Sequence, residues 1–258
     1  MKKHLYHRLA RAVAAAGILL TLSASAAEVD AVLDWSRRVQ LSTTVTGVIA
    51  DIRVNAGDRV KKGDLLLALD DRILKANVER TSAEVTRSTR LEKEAEREME
   101  RQSELFDRTV LSEHELELAR IGLDDARAQL KTSEAAKVKA QVDLEHSQIR
   151  APFDAIVLNR HAELGQTIIS TQEPAPLIEL AEAGKMIASL TVSLGEANKL
   201  KAGQAVPVMI GGKKYSGKIQ VVGFEPVPGK GKRYPVTVEV ATGGRILRAG
   251  QGARVVLP

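Results

Sequence analysis

Few side chains in this 258-residue chain stand at spacings that do chemistry. His114, His146 and His161 are scattered, and the remaining histidines, His4 and His7, fall in an N-terminal leader. Met99, Met186 and Met209 are isolated from one another, so neither imidazole nor thioether gathers at metal-ligand spacing. The sequence has no cysteine, which removes thiolate nucleophiles, thiolate metal sites and a disulfide framework together. There is no nucleophile elbow and no H-E-x-x-H. "GGKKYSGK" and "PGKGKR" hold Gly and Lys without the order of a phosphate-binding loop, and read as β-turns with solvated lysines. The sequence therefore predicts no catalytic residue, no cofactor and no metal centre.

One short constellation has a definite chemistry. In "RQSELFDRTVLSEHE", residues 101–115, a helix-favouring run is interrupted without Gly or Pro. Ser112-Glu113-His114-Glu115 is a capping box. The Ser112 hydroxyl can accept from the Glu115 N–H while the Glu115 carboxylate reaches back to the Ser112 N–H. One helix thus ends near Asp107 and a second begins near Ser112.

These helices occupy residues 72–147, a stretch free of Pro and rich in Glu, Lys, Arg, Ala and Leu. In the second helix Leu116, Ala119, Leu123, Ala126, Leu130, Ser133, Lys137, Ala140, Leu144 and Ser147 recur at alternating steps of three and four, a heptad seam. The first helix offers Val78, Thr81, Val85, Ser88, Glu92, Ala95, Met99, Gln102 and Phe106 at matching steps. The pattern predicts an antiparallel coiled-coil hairpin of about 36 residues per helix, roughly 50 Å long. Its other faces are polar and read as solvated.

The hairpin interrupts a β module. Residues 45–71 and 148–181 each read as short strands with tight turns, and they align with one another. Gly47 falls on Ala155, Ile49 on Val157, Val54 on Ala162, Gly57 on Gly165 and Val60 on Ile168. Two half-sheets too small to bury a core alone are expected to pack as one sandwich. Residues 182–258 read as further short strands with Gly-rich turns, a small β-barrel to which 28–44 adds a strand.

Lys2, Lys3, Arg8 and Arg11, the apolar run 12–22 and the small residues ending at Ala27 read as a signal peptide, cleaved near Ala26 or Ala27. The formal charge of +5 includes those four basic residues, so little excess positive charge remains elsewhere. No nucleic-acid partner is indicated. The scarcity of aromatics, three Phe, three Tyr and one Trp, argues against a large aromatic-lined substrate pocket.

This nested order resembles the periplasmic adaptor, or membrane fusion, proteins (the HlyD and RND-type efflux adaptors) over nearly the whole chain beyond the leader. "GVIADIRVNAGDRVKKGDLLLALD" is similar to the first half of their lipoyl-like domain and "SQIRAPFDAIV" to the return strand, with Ala155 where Gly is usual. "GKRYPVTVEV" and "LRAGQGARVVL" resemble their barrel strands. The resemblance implies an elongated, mainly β protein: a lipoyl-like barrel-sandwich hybrid split by the hairpin, plus a β-barrel domain. Lipoyl-like modules that carry lipoate or biotin hold it on a Lys at the junction of the halves. Here the hairpin fills that junction, and no covalent cofactor is expected.

The resemblance also gives the hairpin tip a role. In adaptors that dock on TolC-like outer-membrane channels the tip carries R-x3-L-x6-S, and Arg101, Leu105 and Ser112 stand at that spacing. The expectation is a periplasmic adaptor of a tripartite efflux pump, associated with the inner membrane through its partner. It would bridge an inner-membrane transporter, RND-type being favoured, and a TolC-like channel, as a homo-oligomeric and typically hexameric ring. Alternatives are the adaptor of an ABC-type exporter, for type I secretion or of macrolide type, and a coiled-coil scaffold without a transport role.

Overall fold

The computed structural model describes residues 27–110, 112–169, 175–229 and 231–258. The expected signal peptide lies outside the described residues, except that Ala27 already opens the first strand. In chain order the elements are β1 (Ala27–Trp35), β2 (Arg38–Leu41), β3 (Gly47–Ile52), β4 (Arg59–Val60), β5 (Leu65–Leu69), α1 (Arg72–Asp107), α2 (Glu113–His146), β6 (Gln148–Arg150), β7 (Ala155–Arg160), β8 (Thr167–Ile168), β9 (Ile178–Glu182), β10 (Lys185–Ser193), α3 (Leu194–Ala197), β11 (Ala205–Ile210), β12 (Lys213–Val222), β13 (Arg233–Ala241) and β14 (Gly252–Leu257). No helix among the described residues is long and apolar enough to cross a membrane. Two compact units result, one of residues 35–185 and one of residues up to 34 with 186–258.

The second unit is a closed barrel in the order β1-β10-β13-β12-β11-β14. Along β10 the alternation of Met186, Ala188, Leu190 and Val192 turns every second side chain into its core, as a half-buried strand requires.

The first unit joins two four-stranded sheets, β2-β9-β7-β4 and β6-β5-β3-β8, around Ile49, Leu66, Leu67, Leu69, Val157, Ile178 and Leu180. Strands from before and after the hairpin are interleaved, with β3 paired to β8, β4 to β7 and β5 to β6. The alignment of the two halves reappears as an approximate two-fold relation in hydrogen bonds. Gly57 N–H donates to Val157 O at 2.8 Å, and its counterpart Gly165 N–H donates to Ile49 O at 2.9 Å. Val157 N–H donates to Asp58 O, and Ile49 N–H to Gln166 O, both at 2.9 Å. Both glycines have positive φ, 97° and 81°, which the tight turn requires and a Cβ disfavours.

One expectation fails. Residues 38–41 do not extend the barrel. β2 pairs antiparallel with β9, Arg38 opposite Ala181 and Gln40 opposite Glu179. Its alternation explains the placement. Leu41 packs against the sandwich core, while the Arg38 and Gln40 side chains meet Glu179 on the other face. The N-terminal contribution to the barrel is β1 alone, so the boundary expected at residue 44 falls near Trp35 instead. At the return, β9 reaches Glu182 within the sandwich sheet, just past the expected end at residue 181.

Candidate functional site

The hairpin grows from a strand pair. β5 and β6 are antiparallel neighbours, α1 leaves after β5, and α2 returns into β6. The root is held by Leu69 N–H donating to Ser147 O at 2.8 Å and by Thr43 Oγ1 donating to His146 O at 2.8 Å, with Leu74 packed on the sandwich core. Above the root every seam position read from α2 is wholly or partly buried, with Leu123, Ser133, Ala140 and Ser147 buried. Small residues at alternate layers let the backbones approach, and Thr81 and Ser88 of α1 are buried in the same seam. Glu92, the charged seam residue, lies within 4.0 Å of Arg127 of α2, which also meets Glu96 at 3.2 Å.

At the apex α1 ends without glycine. Thr109 N–H donates to Phe106 O at 2.8 Å and Val110 N–H to Leu105 O at 3.1 Å, the paired bonds of a Schellman termination. That geometry needs a left-handed residue, and Thr109 supplies it with φ 59°, a strained conformation for a β-branched side chain. The capping box then starts α2. Ser112 Oγ accepts from Glu115 N–H at 3.3 Å and donates to Glu115 Oε2 at 2.6 Å, and Ser112 N–H donates to Glu115 Oε2 at 3.0 Å. The Ser112 hydroxyl and N–H hold the Glu115 carboxyl below its usual range.

The three residues singled out from the sequence all lie at this end of the hairpin. Arg101 is exposed on α1 and forms an ion pair with Glu98 one turn back. Leu105, one turn further on, is half-buried, while Phe106, read as the last seam residue, is 37% exposed. The Schellman turn follows directly after these residues. Val110 is 72% exposed, the most accessible apolar side chain of the tip among the described residues. Sequence reasoning missed it because it follows the last heptad position. Among the described residues no group of three or more His, Cys, Asp or Glu is placed to hold a metal ion. The apex offers a guanidinium, an apolar surface and a capped helix start, which suits contact with another protein.

Residues 37–176, from just before β2 through the hairpin and past β8 to just before β9, match the family model described as CzcB-like, barrel-sandwich hybrid domain. The chain belongs to this family. Among its curated relatives, the macrolide export protein MacA of Yersinia pestis is 28% identical over 86% of this chain. The nodulation protein NolF of Rhizobium meliloti is 28% identical over 83% of it. The chain spans 65% of the length of the first and 58% of the second, under two thirds of each. Among solved structures, the membrane fusion protein Spr0693 of Streptococcus pneumoniae superposes with TM-score 0.67 at 18% identity, covering 90% of this chain and 98% of that one. The likeness to Spr0693 shows a shared fold, and the family model identifies the barrel-sandwich hybrid domain within it.

Proposed function

We propose that this chain is the periplasmic adaptor subunit of a tripartite efflux pump. It would join an inner-membrane transporter to a TolC-like outer-membrane channel. The single observation that carries this reading is the geometry of the hairpin. A two-helix arm of 36 and 34 residues is rooted in paired strands of the sandwich and ends in an apex with exposed apolar side chains. The stiffness comes from the continuous buried seam, and the reach from helix length, about 50 Å. In this reading Arg101 bonds carbonyls or carboxylates at the channel's helical tips, Leu105 with Val110 fills an apolar groove, and Ser112 presents the start of α2. Copies of the chain form a ring, typically hexameric, with hairpins side by side. The exposed Leu118, Ile121, Val138 and Val142 of α2 are available for that packing.

The proposed transporter is RND-type. The second reading, an ABC-type exporter of macrolide type, draws on the likeness to a macrolide export protein over 86% of the chain. Because the chain contains no cysteine, Val110→Cys supplies a unique thiol at the tip. A thiol-directed cross-linker on whole cells should capture a TolC-like channel, and co-purification from the envelope should identify the transporter. Products containing only copies of this chain would sink the adaptor reading in favour of a self-associating scaffold.

A further inference from the structure

Phe224 is 98% exposed, more than any other large apolar residue among those described. It is not on a frayed segment. The loop joining β12 to β13 is pinned at its base, where Gly223 N–H donates to Pro235 O at 2.8 Å and Val227 N–H to Arg233 O at 2.8 Å. Gly223 lies so close to Pro235 that an added Cβ would sit 2.6 Å from its Cγ. The chain is thus held as it enters the loop, and the next residue presents its ring to solvent.

A second feature turns more apolar surface the same way. A β-bulge interrupts the β12–β13 ladder between Ile219 and Val221. Unbroken alternation would put Val221 in the core beside Ile219; the bulge re-aims it outward, and it is 52% exposed. Val221 and Phe224 share a groove of about 440 Å³ with Leu194, which is 51% exposed, and with Leu200 and Tyr234. Lys199 and Lys201 flank Leu200, Lys232 closes the loop, and all three are exposed. Lys201 and Lys232 form no ion pair among the described residues. The nearby guanidinium, Arg233, is committed to Thr191 through its Nε–H at 3.1 Å.

We propose that this face of the barrel is a membrane-surface anchor that inserts Phe224 among the headgroups of an anionic bilayer. A single protruding ring beside smaller apolar residues has the composition of an interfacial anchor, and the neighbouring chain positions Lys199, Lys201 and Lys232 outnumber the acidic Glu196 and Glu225. The ring gains an apolar environment, and the lysine stems lie along it with their ammonium groups in water. Lysines are point charges on flexible stems, suited to mobile headgroups, whereas a fixed carboxylate on a protein is better matched by a planar guanidinium. Charge complementarity sets the lipid class as anionic. The inference stands independently of docking at the hairpin tip.

The test is co-sedimentation of the purified full chain with vesicles of phosphatidylcholine alone and of equal parts phosphatidylcholine and phosphatidylglycerol. Binding to the anionic vesicles is expected, and it should weaken as salt rises. Phe224→Ser should reduce it about tenfold, and the pair Lys199→Glu with Lys201→Glu roughly twentyfold or more. Binding through the apolar leader would be untouched by these changes. Phe224→Trp should show a blue-shifted emission with anionic vesicles, above the Trp35 background. Unchanged melting curves are expected, since the Phe224 ring supports nothing in the fold. Absence of anionic vesicle binding, insensitivity to the substitutions, or an unshifted emission would each overturn the proposal. Loss of an inner-membrane protein partner in Phe224→Ser, without vesicle binding, would assign the patch to protein contact instead.

Discussion

Ser88 and Ser133 place their hydroxyl oxygens 2.8 Å apart inside the seam between α1 and α2. Both residues are buried. Ser133 Oγ donates to Gln129 O at 2.9 Å, so the proton between the two hydroxyls comes from Ser88. This polar layer marks one register of the two helices, since a slip of one turn would part the two oxygens and leave each hydroxyl without its partner.

Ser88→Ala removes the donor but leaves Ser133 its bond to Gln129, and is expected to cost about 1 kcal/mol. Ser88→Leu must push the helices apart and should cost about 2 kcal/mol or more. Denaturant unfolding followed by helical circular dichroism measures both. Equal effects for the two would show that the layer is not closely packed.

Thr109 carries the left-handed turn at the hairpin apex with φ 59°. Glycine adopts that conformation freely, so Thr109→Gly should raise hairpin stability by about 1 kcal/mol despite the added freedom of the unfolded chain. Thermal unfolding checks the sign. A loss of stability would mean that the Thr109 side chain, whose Oγ1 donates to Arg108 O at 2.7 Å, contributes more than its strain costs.

The tip residues separate structural from docking roles by their different partners. Arg101→Asp forfeits an exposed ion pair with Glu98 and should change stability by only a few tenths of a kcal/mol, while lowering capture of an outer-membrane channel about tenfold or more. Ser112→Ala removes a cap and should cost about 1 kcal/mol. Ser112→Asp keeps a cap acceptor without the hydroxyl. Channel capture lost in Ser112→Asp with the melting temperature retained supports direct docking by Ser112. Capture that follows stability through both variants would make it a cap alone.

Glu179 is buried on the outer face of the sandwich sheet, with Arg38 Nε at 2.6 Å and Asn159 Nδ2 at 2.6 Å. The Arg38 guanidinium first, and then the Asn159 amide, lower its pKa from 4.5 to about 2. A depressed carboxylate stabilises the fold while charged. Its contribution is complete above about pH 4.5 and is lost as pH falls toward about 2. Glu179→Gln should lower stability at neutral pH by about 2 kcal/mol and flatten the acid limb of the stability curve. An unaltered acid limb would place the pH dependence elsewhere.

Local periodicity determined much of this protein by itself. The heptad steps from Leu116 to Ser147 specify which face of α2 is buried, because side chains three and four apart share a helix face whatever surrounds them. The Ser112–Glu115 cap is contained in four residues. The 108-residue offset between Gly57 and Gly165 returns as matched hydrogen bonds because both halves repeat one turn chemistry. Tertiary structure alone decided what depends on distant partners. β2 is four residues long, too short to declare its sheet, and its pairing with β9 spans about 140 residues. The burial of Glu179, the outward turn of Val221 at a bulge, and the strained Thr109 arise from pairing and chain reversal, which single-strand patterns do not carry. The exposure of Val110 is likewise settled where α1 stops, because the chain beyond the last turn of a helix no longer follows the seam that the turns before it share.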